Sequence, residues 1–213
     1  MAVKVEEKAQ LGATGAAKPP RTARGERTMR KILDAARDEF GERGFSESSI
    51  VGITQRAGVA LGTFYTYFES KEALFKALVG DMSAQVRDSV GPTLVGASDG
   101  LDGERRALAA FLDFVRDHRD IYRIIDESEF VDPAAYHEHY ETTGTRIAAR
   151  LRAARDRGEI GSAFSDDDLD ILAWGMMGAN VFLGLRFAVW DDREGDHVAA
   201  VMSRVWRKGF SNE

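Results

Sequence analysis

From Met29 to Trp206 the apolar residues recur three and four positions apart, and no stretch alternates apolar with polar residues over the length of a strand. That spacing suits helices with one inward face. It argues against a sheet, whose half-buried strands need a period of two. The expected fold is all-α, with about nine helices and no internal repeat. A chain of 213 residues can bury one mid-sized core, or a small head and a larger helical domain.

Residues 1 to 25 are rich in Gly, Ala, Pro, Thr and basic residues without periodicity, and read as a flexible basic arm. A helix follows, with Met29, Ile32, Leu33, Ala36 and Phe40 on one face, and Gly41 and Gly44 are expected to stop it. Ser48 or Ser49 can cap the next helix, and Gly58 suits its left-handed end. Gly52 lies inside that second helix, where the sequence offers no reason for it. Leu61 to Phe68 reads as a third, short helix. Ser70 can cap a fourth, with Leu74, Leu78 and Met82 as its apolar stripe. The stretch from Gly91 to Gly103 carries four glycines and a proline, and is expected to be a loop. Helices are then expected from Ala107, from Ile121, from Pro133 to Gly158, after Ser165, and around Val198 to Trp206.

A helix, a tight turn with glycine and a short helix make the helix-turn-helix layout. In "ALGTFYTYFESK" Phe64 and Phe68, four apart, can anchor the short helix. Leu61, Gly62, Thr63, Tyr65, Thr66 and Tyr67 are then left for the outer side. Hydroxyls of Thr63, Tyr65 and Tyr67 and the Lys71 ammonium suit phosphate oxygens. Leu61 and the Thr66 methyl suit thymine methyls, and Gly62 permits a close backbone approach. A packed helical corner with surface tyrosines explains the same residues, so composition alone leaves both readings open.

Charge adds a second indication. The net charge is −6, yet residues 1–80 hold 13 Lys/Arg against 10 Asp/Glu, while residues 81–213 hold 16 against 25. The excess near the N-terminus comes from Lys18, Arg21, Arg24, Arg27, Arg30 and Lys31. It suits a polyanion, or equally a solvated tail.

From Arg27 to Leu78 the chain strongly resembles the TetR family of bacterial transcriptional regulators. The shared features are ILDAARDEFGERGFSESSI, ITQRAGV and GTFYTYF-x-SKEAL. The resemblance implies a DNA-binding head over 26–80 and a ligand-binding and dimerisation domain over 81–213. It carries DNA contacts onto Leu61, Gly62, Thr63, Tyr65, Thr66, Tyr67 and Lys71. It also puts Ser48 and Ser49 at a phosphate-facing helix start, with Arg56 peripheral. Many members have a polar or basic residue where this chain has Ala60-Leu61, and the basic arm can compensate. The last two helices are implied to pair with those of a second copy. Gly175, Gly178, Ala179, Gly184 and Ala188 would allow close approach, and Leu185, Trp190, Val198, Met202, Val205 and Trp206 would supply area.

The implied effector pocket draws on Phe111, Phe114, Tyr122, Phe130, Tyr136, Tyr140, Trp174, Met177 and Phe182, each of which can equally be core. His118, Arg119, Arg123 and Asn180 could orient a ligand there. "HRDIYRIIDESEFVDPAAYHEHY" loosely resembles TetR members that answer to fatty acyl-CoA. On that resemblance Arg119, Arg123 or Arg186 would meet CoA phosphates.

Other functions find less support. The chain has no cysteine, which excludes disulfides and thiolate metal sites and suits the reducing cytoplasm. His137 and His139 are two apart and point to different faces of a helix, so no metal site is expected. No nucleophile elbow, phosphate-binding glycine loop or HExxH is present, so neither an enzyme nor a cofactor is expected. The first residues lack the apolar core of a secretory signal. Leu169 to Trp190 approaches the length of a membrane span, but it contains Asp170, Asn180 and Arg186 and is expected to be a buried helix. The function expected is a homodimeric repressor released from a palindromic operator by a small apolar or acyl-CoA-like effector. The alternative is a DNA-binding regulator or architectural protein without an effector.

Overall fold

The computed structural model describes Pro20 and residues 22–210. Most of the expected basic arm lies outside the described residues. Among these there are nine α-helices and no strand.

Helix α1 (Ala23–Glu47) starts where the Thr22 side chain accepts from the Gly25 N–H, inside the stretch read as the arm. It passes through Gly41, which was expected to stop it. One glycine costs a helix only about 1 kcal/mol, and a Cβ at Gly41 would lie 2.8 Å from Asp120. The kink comes at Gly44, whose φ of 80° favours glycine. Helix α2 (Ile50–Ala57) has the expected cap at Ser49 and the expected left-handed end at Gly58. Helices α3 (Leu61–Tyr67) and α4 (Lys71–Val90) follow, the latter capped by Ser70.

The expected loop at 91–103 is shorter than the glycines suggested. A single 3-10 turn spans Gly91–Leu94, and α5 (Gly100–Asp117) already begins after Asp99, whose carboxylate accepts from the Asp102 N–H. A local cap therefore outweighs two helix-weakening glycines. Helix α6 is Ile121–Val131. Helix α7 (Pro133–Asp156) opens on Asp132 and Pro133 as expected. Ser165 and Asp168 form a reciprocal cap on α8 (Asp166–Gly184), which ends in one π-helical turn, Leu185–Val189. Helix α9 is Gly195–Gly209.

Two apolar cores result. The first joins Phe40, Phe64, Phe68 and Phe75 of the head to Ile121, Ile124 and Ile125 of α6. The second joins α5, α7, α8 and α9 through Leu108, Leu112, Leu151, Leu169, Ala173 and Trp206. The head is therefore seated on α6 by continuous packing.

Helix α8 departs from the expectation of a fully buried helix. With its π-helical turn it is long and apolar enough to cross a membrane, yet Leu169, Ala173, Met176 and Met177 pack into the second core. Its other side leaves Ile171, Trp174 and Phe182 exposed, and α9 leaves Val201 and Val205 exposed. Four residues expected to meet a second copy instead turn inward. Ala188, Val198 and Trp206 are buried, and Gly184 lies under the Tyr122 ring. Gly175 and Gly178 face open space, as close helix approach requires.

Candidate nucleic-acid interface and interior cavity

The short helix α3 divides as its period dictates. Phe64 and Phe68 are fully buried, whereas Leu61 is 45% and Tyr65 50% exposed. Gly62 and Thr66 are exposed beside them, with Thr63 and Tyr67 half-buried. The Thr66 hydroxyl donates to the Gly62 carbonyl, which leaves its methyl as the group free for contact. A Cβ at Gly62 would meet nothing within 4 Å, so nothing inside the protein requires this glycine. The Tyr65 and Tyr67 hydroxyls have no partner among the described residues. Ser49 is exposed at the start of α2, where N–H groups and the helix dipole favour an anion.

Two of the expected DNA contacts face the wrong way. Ser48 is buried, and its hydroxyl is directed at the Gly44 (2.6 Å) and Glu39 (3.1 Å) carbonyls. The Lys71 ammonium donates to the Phe45 (2.7 Å) and Ser48 (2.9 Å) carbonyls and lies 4.3 Å from the Phe45 ring centre. The physical reason is the kink at Gly44. After it the last turn of α1 leaves the Ser48 carbonyl without a backbone donor and the Phe45 carbonyl with only a 3.4 Å bond from the Ser48 N–H, and the nearest cation answers both. Arg56 is likewise engaged, donating twice to Glu42 at 2.8 and 2.6 Å and lying 3.2 Å from buried Glu39. Glu39 also accounts for Gly52: a Cβ there would lie 2.7 Å from its carboxylate, at the crossing of α1 and α2.

Helix α6 ties this head to the rest of the molecule. Glu127 accepts from the Phe45 N–H at 2.6 Å, and Arg123 donates to the Gly41 and Glu42 carbonyls at 3.1 Å each. Asp120, its carboxyl raised mainly by burial, lies 3.4 Å from Arg37. Arg30 of α1 grips Asp81 of α4 with two bonds of 2.7 and 2.8 Å.

Between α4, α5, α6, α7 and α8 lies a cavity of about 240 Å3. Of the expected pocket residues, Phe111, Tyr122, Tyr140, Met177 and Asn180 line it. The others lie elsewhere. Tyr136, Trp174 and Phe182 line an open groove between α7 and α8. Phe114 is buried in the first core with His118 stacked on it at 4.2 Å, while Arg119 reaches the Val189 carbonyl at 3.4 Å. Phe130 is 84% exposed. His118, Arg119 and Arg123 share a surface cleft against α1. Arg186 faces Asp191 at 3.5 Å.

The cavity wall also contains groups the sequence did not single out for it. His139 Nδ1 lies 2.7 Å from Ser83 Oγ, and burial lowers the imidazole pKa to about 4. Arg150 is paired with buried Glu104, and Arg87 and Arg146 also line the cavity. Burial raises the Tyr140 phenol to about 12 and pushes the Tyr122 phenol up as well. Tyr122 donates to the Val181 carbonyl at 2.6 Å. The signal for these groups was weak because Ser83, Glu104 and His139 come from three different helices.

Comparison with known proteins supplies the context. Residues 32–78 match the family model of bacterial regulatory proteins, tetR family. The chain is 32% identical over 119 residues to the HTH-type transcriptional regulator YdgC of Bacillus subtilis, covering 53% of this chain and 58% of the relative. It thus spans little more than half of that relative's length. A TetR-like transcriptional regulator from Rhodococcus sp. RHA1 superposes with a TM-score of 0.68 at 23% identity, over 90% of this chain and 98% of the other. The transcriptional regulator FadR from Bacillus subtilis, in complex with stearoyl-CoA, superposes with a TM-score of 0.73 at 16% identity, over 85% and 98%. These superpositions establish the shared fold.

Proposed function

The chain belongs to the TetR family of bacterial regulatory proteins, and on that premise we propose that it is a homodimeric, ligand-responsive repressor of transcription. The observation that carries this reading is the α3 face. Leu61, Gly62, Thr63, Tyr65, Thr66 and Tyr67 lie on one short helix whose two phenylalanines are fully buried, with exposed Ser49 at the neighbouring helix start. Hydroxyls and helix N–H groups grip phosphates and set register, while Leu61 and the Thr66 methyl read thymine. Lys71 and Ser48 act from behind, by holding the kinked end of α1 in place. DNA as partner puts the protein in the cytoplasm.

One α3 helix makes few base contacts, so a second copy doubles them on a palindrome. The exposed Ile171, Trp174 and Phe182 of α8 and Val201 and Val205 of α9 offer the apolar face for pairing. The effector, a small apolar or acyl-CoA-like molecule, occupies the cavity. Arg87 and Arg146 replace Arg119, Arg123 and Arg186 as partners for an anionic head. Helix α6 lines the cavity with Ile121, Tyr122 and Ile125 and holds α1 with Arg123 and Glu127. A ligand that fits one position of α6 better than the other shifts the spacing of the two heads, by no more than its difference in affinity. The cavity favours this reading over an architectural protein without effector, whose core would be filled.

The test is selection from random duplex DNA followed by footprinting of the enriched sequence. Two inverted half-sites about 34–36 Å apart are expected. Recovery without sequence preference, or protection of one half-site by a monomer, would overturn the proposal.

A further inference from the structure

One polar atom on the cavity wall has nothing to bind within the protein, and a histidine on the same wall makes a single side-chain hydrogen bond. Asn180 Oδ1 on α8 is shut away from solvent and has no hydrogen-bond partner among the described residues. Such an atom destabilises the fold, whereas a leucine of the same shape would not. His139 on α7 bonds Ser83 through one ring nitrogen. Ser83 Oγ lies 2.8 Å from the Val79 carbonyl and 2.7 Å from His139 Nδ1; when its one proton goes to the carbonyl, it accepts from Nδ1–H. The ring is neutral at pH 7, because burial lowers its pKa to about 4. In that tautomer Nε2 is an acceptor open to a ligand or to water.

Size restricts what can answer these groups. A cavity of about 150 Å3 holds a benzene ring. The 240 Å3 here therefore holds roughly ten non-hydrogen atoms in its present shape. Phe111, Tyr122 and Met177 give the rest of the wall an apolar character. The Asn180 amide can present its carbonyl or its NH2 by turning about its last torsion. A hydroxyl both donates and accepts, so it can answer either end of the amide as well as Nε2.

We infer that the cavity recognises a compact apolar molecule carrying one hydroxyl, held by Asn180 and His139 with its hydrocarbon against Phe111, Tyr122 and Met177. This rests on the effector reading of the same cavity and names the chemical class that the effector belongs to.

The experiment measures binding of 4-propylphenol and 4-propyltoluene to the full chain by calorimetry. The two probes have the same shape and differ only in a hydroxyl or a methyl. The phenol is expected to bind roughly 10- to 100-fold more tightly. Asn180→Leu should bring the two affinities together and raise the Tm of the ligand-free protein by about 2–4 °C. Equal binding of both probes to the unaltered protein would overturn the inference and leave an apolar effector standing. Binding of neither would overturn it too, and acyl-CoA titration would then decide the effector reading separately. A lowered Tm in Asn180→Leu would show that the amide serves the fold, and would equally overturn the inference.

Discussion

In the head, Ser48, Lys71 and Arg56 all end on protein partners, and even buried Glu39 has Arg43 and Arg56 beside it. In the body, Asn180 Oδ1 stays unanswered at a cavity of about 240 Å3. The head offers DNA a surface whose supports are already satisfied, so meeting DNA requires little rearrangement. The body keeps a polar group and space in reserve, which lowers stability where a ligand can restore it. On the proposed function, recognition of a rigid polyanion and recognition of a small molecule thus leave opposite marks on the hydrogen-bond inventory.

The largest test of that contrast is acid. The folded pKa of His139, about 4, lies below its unfolded value of about 6.5. The unfolded chain therefore binds the proton first. The contribution of His139 is intact above about pH 6.5 and is lost as pH falls towards 4, by roughly 3 kcal/mol in total. Asp120, raised by burial, pulls the other way, so the difference between parent and His139→Leu is what should be read. The parent should lose Tm faster over this window, and parallel curves would remove His139 from the strained wall.

Next comes Lys71→Ala. It leaves the Ser48 carbonyl without its donor and the Phe45 carbonyl with only the long bond from the Ser48 N–H, and should cost about 1–3 kcal/mol, read by urea denaturation. The salt dependence of operator binding should not change. A slope flattened by about one phosphate, with stability intact, would return Lys71 to the DNA backbone and blur the contrast. The smallest effect belongs to Tyr67→Phe. Operator affinity should fall by about 0.5–1.5 kcal/mol, uniformly across sequences, while Tm holds. A loss confined to certain sequences would make Tyr67 a reader of bases.

The inward and outward sides of α3 were legible because Phe64 and Phe68 are four apart, and that spacing alone puts them on one face. Ser49, Gly58, Asp132 and the Ser165–Asp168 pair were legible for a similar reason, since caps act over three or four residues. Lys71 misled because a flexible ammonium beside an exposed helix looks like a phosphate ligand. Its two carbonyl partners lie 26 and 23 residues away. The pocket was half legible: aromatics on α5, α6 and α7 were candidates by type, but the same type serves the core, the groove and the cavity.

The sequence by itself determined most of the helices, their caps and the anchored α3, because these rest on periodicity and on neighbours within one turn, and its motifs carried the likeness to the TetR family over residues 32–78. Only the tertiary structure decided that the Glu39 carboxylate lies against Gly52, that Lys71 turns to the end of α1, and that His139 and Asn180 share a cavity. Those outcomes depend on which helix faces cross, and close packing admits one arrangement at each crossing.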